Sequence, residues 1–142
     1  MGERGGLSRD EWRTLQFAPF WMFAAVVGSY GRFDVLEYEA FSRSLASAAS
    51  APGRLNRELM TSVAADLDRV AREFAADPRS IGSGLCEVAT ILKNIPTEEA
   101  DMVKHGLLSG IGEAVARARG RFGRVMSEED EKNLELVAQF LS

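Results

Sequence analysis

Few side chains in this sequence are of the types and spacings that chemistry requires. Asp34 and Glu37 stand three residues apart, and Glu128, Glu129, Asp130 and Glu131 form a continuous acidic run. Ca²⁺ and Mg²⁺ are hard cations that take several oxygen ligands, so Asp34, Glu37, Glu129 and Asp130 are the candidate metal ligands. Helix physics accounts for the same residues without a metal. Asp34-Val-Leu-Glu37 has the form of a capping box, whose two side chains satisfy the first free N–H groups of a helix. An acidic run is likewise favoured in a first turn, where the helix dipole is positive. The expectation is therefore a helix start at both places, with no ordered metal and no cofactor.

Arg117, Arg119, Arg121 and Arg124 fall within eight positions and form the strongest basic cluster of the chain. Arginine offers a planar fork of donors, so the cluster is the candidate patch for an anion or an acidic partner. It also suits the negative end of a helix followed by the acids at 128–131. His105 is the only histidine and Cys86 the only cysteine. Neither a histidine-based metal site nor a disulfide or cysteine cage can be built from them. Spacing places Cys86 beside an apolar helical stripe, as a core cysteine. No phosphate-binding loop, nucleophile elbow, zinc pattern or dinucleotide fingerprint occurs, so no catalytic residue is assigned.

The elements that must position these groups are helical throughout. Ser8-Arg-Asp-Glu11 is a capping box that starts a helix near Arg9, and Pro19 either kinks that helix or opens a second one. Nine of the twelve aromatic residues lie between Trp12 and Phe41, which makes the first hairpin the centre of the core. The next helix runs from Asp34 to about Ala49, with Leu36, Phe41 and Leu45 inward, and Ala51-Pro-Gly53 closes it. Met60, Val63, Leu67, Val70 and Phe74 repeat at helical spacing on one face. Asp68 with Arg72 and Arg69 with Glu73 stand at i, i+4 on the other. Ile81, Leu85, Val88, Leu92 and Ile95 form another stripe. Thr97 is the expected N-cap of a helix carrying Val103, Leu107 or Leu108, Ile111 and Val115 inward. Gly106 and Gly110 let a neighbouring helix approach. Ser127 caps the last helix, with Leu134, Val137, Ala138 and Leu141 apolar.

These segments predict an all-α fold: a single-domain bundle of six to seven helices, with 1–7 a flexible N-terminus and 8–142 the domain. The 142-residue length suits one domain. A formal charge of −4 disfavours nucleic acid as a partner, because phosphate neutralisation needs Lys and Arg. Thr14 to Gly31 is an 18-residue stretch without a charge, but its strongly apolar part spans only Phe17 to Val27. Eleven helical residues cover about 16 Å, half of a hydrocarbon core. A buried central helix is expected rather than a transmembrane span, with a homo-oligomeric interface as the alternative use of its aromatics. The first residues lack the apolar region of a signal peptide, and a lone cysteine agrees with a cytoplasmic location.

The first and last helical joints echo one another. Ala25-Val-Val-Gly-Ser-Tyr-Gly-Arg-Phe33 precedes Asp34, and Ala114-Val-Ala-Arg-Ala-Arg-Gly-Arg-Phe122 precedes the start at Ser127. From Ser8 to Leu141 the layout resembles the TerB-like tellurite-resistance domains, which have two pseudo-repeated helical hairpins. Their turns have the form acid-Gly-x-apolar-polar-x-x-Glu. Gly31-Arg-Phe-Asp-Val-Leu-Glu37 matches from the glycine onward, and Gly123-Arg-Val-Met-Ser-Glu-Glu-Asp-Glu131 matches with one extra residue. The resemblance implies a non-enzymatic helical protein-interaction module of a bacterial stress-response system, with an unidentified protein partner. It also implies an acidic surface suspected of binding divalent cations, the alternative function. The family's acid before the turn glycine is missing here, where Tyr30, Arg119 and Phe122 stand before Gly31, Gly120 and Gly123. Only Asp34, Glu37, Glu129 and Asp130 correspond to the family's helix-start acids.

Overall fold

A computed structural model describes residues 6–27, 35–113 and 128–141. Among them the chain forms seven α-helices and one π-helical segment. In order these are α1 (Arg9–Val27), α2 (Val35–Ala49), α3 (Arg54–Ala65), α4 (Leu67–Ala75), α5 (Ile81–Leu92) and α6 (Thr97–His105). The π-helical segment Gly106–Glu113 continues from α6, and α7 (Glu128–Leu141) follows. The described residues contain no strand, as an all-α bundle requires.

The start of α1 is the capping box read from the sequence. The Ser8 N–H donates to Glu11 Oε1 at 2.9 Å, and the Glu11 N–H donates to Ser8 Oγ at 3.1 Å. Ser8→Ala leaves one of those N–H groups without its cap and should lower stability by about 1 kcal/mol, measurable by urea unfolding. Helix α1 then runs unbroken through Pro19. Its segment Phe17, Phe20, Trp21, Met22 and Phe23 points in every direction around the helix, yet all five side chains are buried within the single chain. Contacts from α3, α4, α5, α7 and the π segment surround α1 and make this possible. Burying each such side chain contributes about 1.5–3 kcal/mol. Among the described residues no helix is long and apolar enough to cross a membrane.

The stripe from Met60 to Phe74 belongs to two helices, not to one. Asp66 leaves the helical conformation at φ −120°, ψ 38°, and separates α3 from α4. Its carboxylate accepts from Arg69 at 3.2 Å, and Arg69 also reaches Glu73 at 3.3 Å. Met60, Val63, Val70 and Phe74 are buried on either side of the break, while Leu67 beside it is half-buried. In α5, Leu85, Val88 and Leu92 are buried and Ile81 is half-buried at the first turn.

Cys86 is exposed, which corrects its reading as a core residue. One residue turns an α-helix by about 100°; the step from Leu85 takes Cys86 off the inward stripe and onto the face of Ser83, Glu87 and Thr90, all exposed. The cap of α6 also differs from expectation. Pro96 occupies the cap position and Thr97 is the first helical residue, with no side-chain cap bond. The first-turn acid Glu99 caps a different helix instead, its Oε1 accepting from the Leu55 N–H of α3 at 2.9 Å. Gly53, which precedes α3, has φ +108° and lies against Met102 of α6, so a β-carbon there would be strained and crowded.

The glycines of the π segment do permit close packing. Gly110 faces Ala48 of α2, and Gly106 faces the fully buried Asn56 of α3. Asn56 Nδ2 donates to the Ala48 carbonyl at 2.7 Å. Val103, Leu107 and Ile111 are buried, and Leu108 is half-buried. In α7, Val137 and Leu141 are buried, whereas Leu134 and Ala138 are half-buried.

Candidate functional site

The residues singled out by sequence are not gathered into a described site. Asp34, Arg117, Arg119, Arg121, Arg124 and Ser127 lie outside the described residues, and so do the side chains of Glu37, Glu129 and Asp130. His105 is an exposed residue at the end of α6. Among the described residues, no group of three or more His, Cys, Asp and Glu is placed to hold a metal ion.

The most distinctive polar assembly lies between the first turns of α1 and the face of α5. Asp10, Glu11 and Thr14 of α1 and Glu87, Thr90 and Ile91 of α5 line an open cleft of about 250 Å³. The capping box fixes the start of α1 and thereby presents Asp10 and Glu11. The inward stripe of α5 turns Glu87 and Thr90 outward, with buried Ile91 at the floor. The rim is therefore acidic and the floor apolar.

Arg79, in the segment between α4 and α5, backs this cleft. Its Nε and Nη2 donate to the two carboxylate oxygens of Asp77, each at 2.9 Å. Its Nη1 donates to Glu87 Oε1 at 2.7 Å and to Thr14 Oγ1 at 3.2 Å. The guanidinium carbon also lies 5.0 Å from the ring centre of Trp21 and 5.9 Å from that of Phe17. A cation over an aromatic face is attracted by the ring quadrupole. The hydrogen bond from Arg79 holds the Asp77 carboxyl below the usual carboxylate range, against the opposing effect of partial burial. The same bond raises the Arg79 pKa above its ordinary value.

Beneath Arg79, the Trp21 indole is fully buried against Gly84, and its Nε1–H has no acceptor among the described residues. Such an orphaned donor costs about 1–3 kcal/mol. Arg79, Asp77, Glu87 and Trp21 were not assigned a joint role from the sequence. The available signal was Asp77-Pro-Arg79, where an Asp accepts from the N–H two residues on. That bond forms at 2.9 Å.

A second open groove, about 420 Å³, lies at the α3–α4 joint and is lined by Asp66, Asp68, Arg69 and Arg72 among others. Both signs of charge meet there, and hydrogen bonding from Asp66 raises the Arg69 pKa. The cleft between α1 and α5 differs in having a rim of one sign. Arg79 already serves two carboxylates, Asp77 and the cleft's own Glu87. Comparisons with protein-family models, curated proteins and solved structures find no match to this chain.

Proposed function

We propose that this chain is a non-enzymatic protein-interaction module whose cleft between α1 and α5 receives a cationic segment of a partner protein. The carrying observation is the placement of Asp10, Glu11 and Glu87 around an apolar floor. Long basic side chains suit such a place, since their stems cover apolar surface while their heads meet carboxylates. The resemblance to TerB-like domains supports a role in a bacterial stress response, in the cytoplasm, for the same module.

Asp10 is exposed and gives a clean test. Asp10→Lys should leave the helical content unchanged and weaken capture of the wild type's partner by at least about tenfold, or 1.4 kcal/mol. Added salt should weaken wild-type capture in the same direction. Capture that is indifferent to both would overturn the cleft as the docking site. Calorimetric titration with Ca²⁺, Mg²⁺ and Mn²⁺ separates the alternative. Binding that disappears in Asp34→Ala or Asp130→Ala would replace the interaction reading with a cation-binding one.

A further inference from the structure

Asn56 of α3 is the most deeply buried polar side chain among the described residues, with no exposed surface. Its Nδ2 donates to the Ala48 carbonyl at 2.7 Å, but that carbonyl also accepts the Ala51 N–H at 3.2 Å. Its Oδ1 has no donor among the described residues. A buried acceptor without a donor costs its desolvation, and an apolar side chain of similar shape avoids that cost. Stability therefore does not account for an asparagine here, and the surroundings of its carboxamide point to another use.

The carboxamide lies against Gly106, the first residue of the π-helical segment, where a β-carbon would come within 2.5 Å of Oδ1. The same segment brings Gly110 onto Ala48, where a β-carbon would lie 2.8 Å from the Ala48 β-carbon, and Gly112 onto Leu134 and Met22. Glycine is a poor helix former and long π-helical runs are rare, so local preference does not select this setting and the contacts with neighbouring helices must. Sliding the segment by one residue brings Leu107 and Ile111, or His105 and Ser109, to the places of Gly106 and Gly110. With an apolar residue at position 56, Leu107 in the first of those slipped settings would find an apolar neighbour. Against Asn56 it would instead cover an oxygen that has no donor.

We propose that Asn56 is a register key for the π-helical segment. It admits the one setting that lays Gly106 over its carboxamide, and it is kept for that selectivity at a net cost in stability. A buried asparagine sets the register of packed helices in coiled coils by the same means, making wrong pairings worse while the right one gains nothing. The key is a conformational device, because α1, α2 and α7 all pack on this segment and its setting fixes where Met22 and Leu134 meet Gly112.

Asn56→Leu in the full chain tests the key by urea unfolding together with amide hydrogen exchange followed by NMR. The expected result is a midpoint at or above that of the wild type, with amides 107–113 exchanging at least about tenfold faster while those of α1 keep their protection. An Asn56→Leu protein with a lower midpoint, or one that protects 107–113 equally well, overturns the proposal. A second pair of variants separates a key from a tight packing contact. Gly106→Ala sets a methyl group against Oδ1 and should lower the midpoint. Asn56→Ala in the same chain makes room for that methyl group and should raise the midpoint again, without restoring the protection of 107–113. Recovery of both would reduce the contact to packing, and recovery of neither would place the strain elsewhere; either result overturns the key.

Discussion

Trp21→Ala is expected to destabilise the chain by about 3–5 kcal/mol, the usual cost of emptying a fully buried aromatic site. Trp21 has no exposed surface and packs edge-on to Phe17 at 5.8 Å and to Phe74 at 5.9 Å. Phe74 in turn stacks on Phe20 at 5.1 Å, so the indole belongs to a cluster joining α1 to α4. The residues around it cannot close the gap without moving several rings. Whole domains have only about 5–15 kcal/mol of stability, so this one change should unfold the protein or leave it marginal. Circular dichroism and denaturant titration would register the loss. A variant with near-native stability would show that the indole is not central to the core.

Gly84→Ala tests the same site from the opposite side, and its expected sign is opposite to the rule for helices. Alanine in place of glycine inside a helix ordinarily stabilises by about 1 kcal/mol. At Gly84 the new β-carbon would meet three ring atoms of Trp21, well inside van der Waals contact. That neighbour is a rigid ring packed on all sides, unlike the end of a flexible chain, so overpacking dominates and the net cost should be about 1–3 kcal/mol or more. Gly82→Ala is the control, since its β-carbon would meet only the half-buried Phe140 ring at 3.1 Å. A double-mutant cycle of Gly84→Ala with Trp21→Phe should show coupling, because the smaller ring relieves the contact. Additive effects would place the strain elsewhere.

The contrast between these two residues shows what was legible in the sequence. The aromatic concentration in α1 marked the centre of the core, because Phe17, Phe20, Trp21, Met22 and Phe23 point all around one helix and must be enclosed on every side. The stripes at Met60–Phe74 and Ile81–Leu92 were legible for the related reason that helical spacing survives even the break at Asp66. The break itself was not, since Asp66 carries no glycine or proline signal. Cys86 shows how narrow an inward stripe is: its neighbour Leu85 is buried and Cys86 is not.

The cleft and its Arg79 backing could not be read from spacing. They join Thr14 to Arg79 across 65 positions and Arg79 to Glu87 across eight, and only the packing of α1 on α5 brings them together. Local patterns such as capping boxes are encoded within four residues, so Ser8 and Glu11 were readable where Arg79 was not. The helix-start acids and the arginine cluster, which local pattern did single out, lie outside the described side chains.

The cleft and the buried indole both depend on α1 being enclosed by its own chain and not by a second copy. Equilibrium unfolding of the wild type over a roughly hundredfold range of protein concentration tests that directly. The account predicts one unfolding midpoint at every concentration, with emission characteristic of buried indoles throughout the native baseline, since Trp12 and Trp21 are both buried. A midpoint that falls on dilution, together with a folded monomeric Trp21→Ala variant, would contradict it and place the aromatics of α1 in a subunit interface.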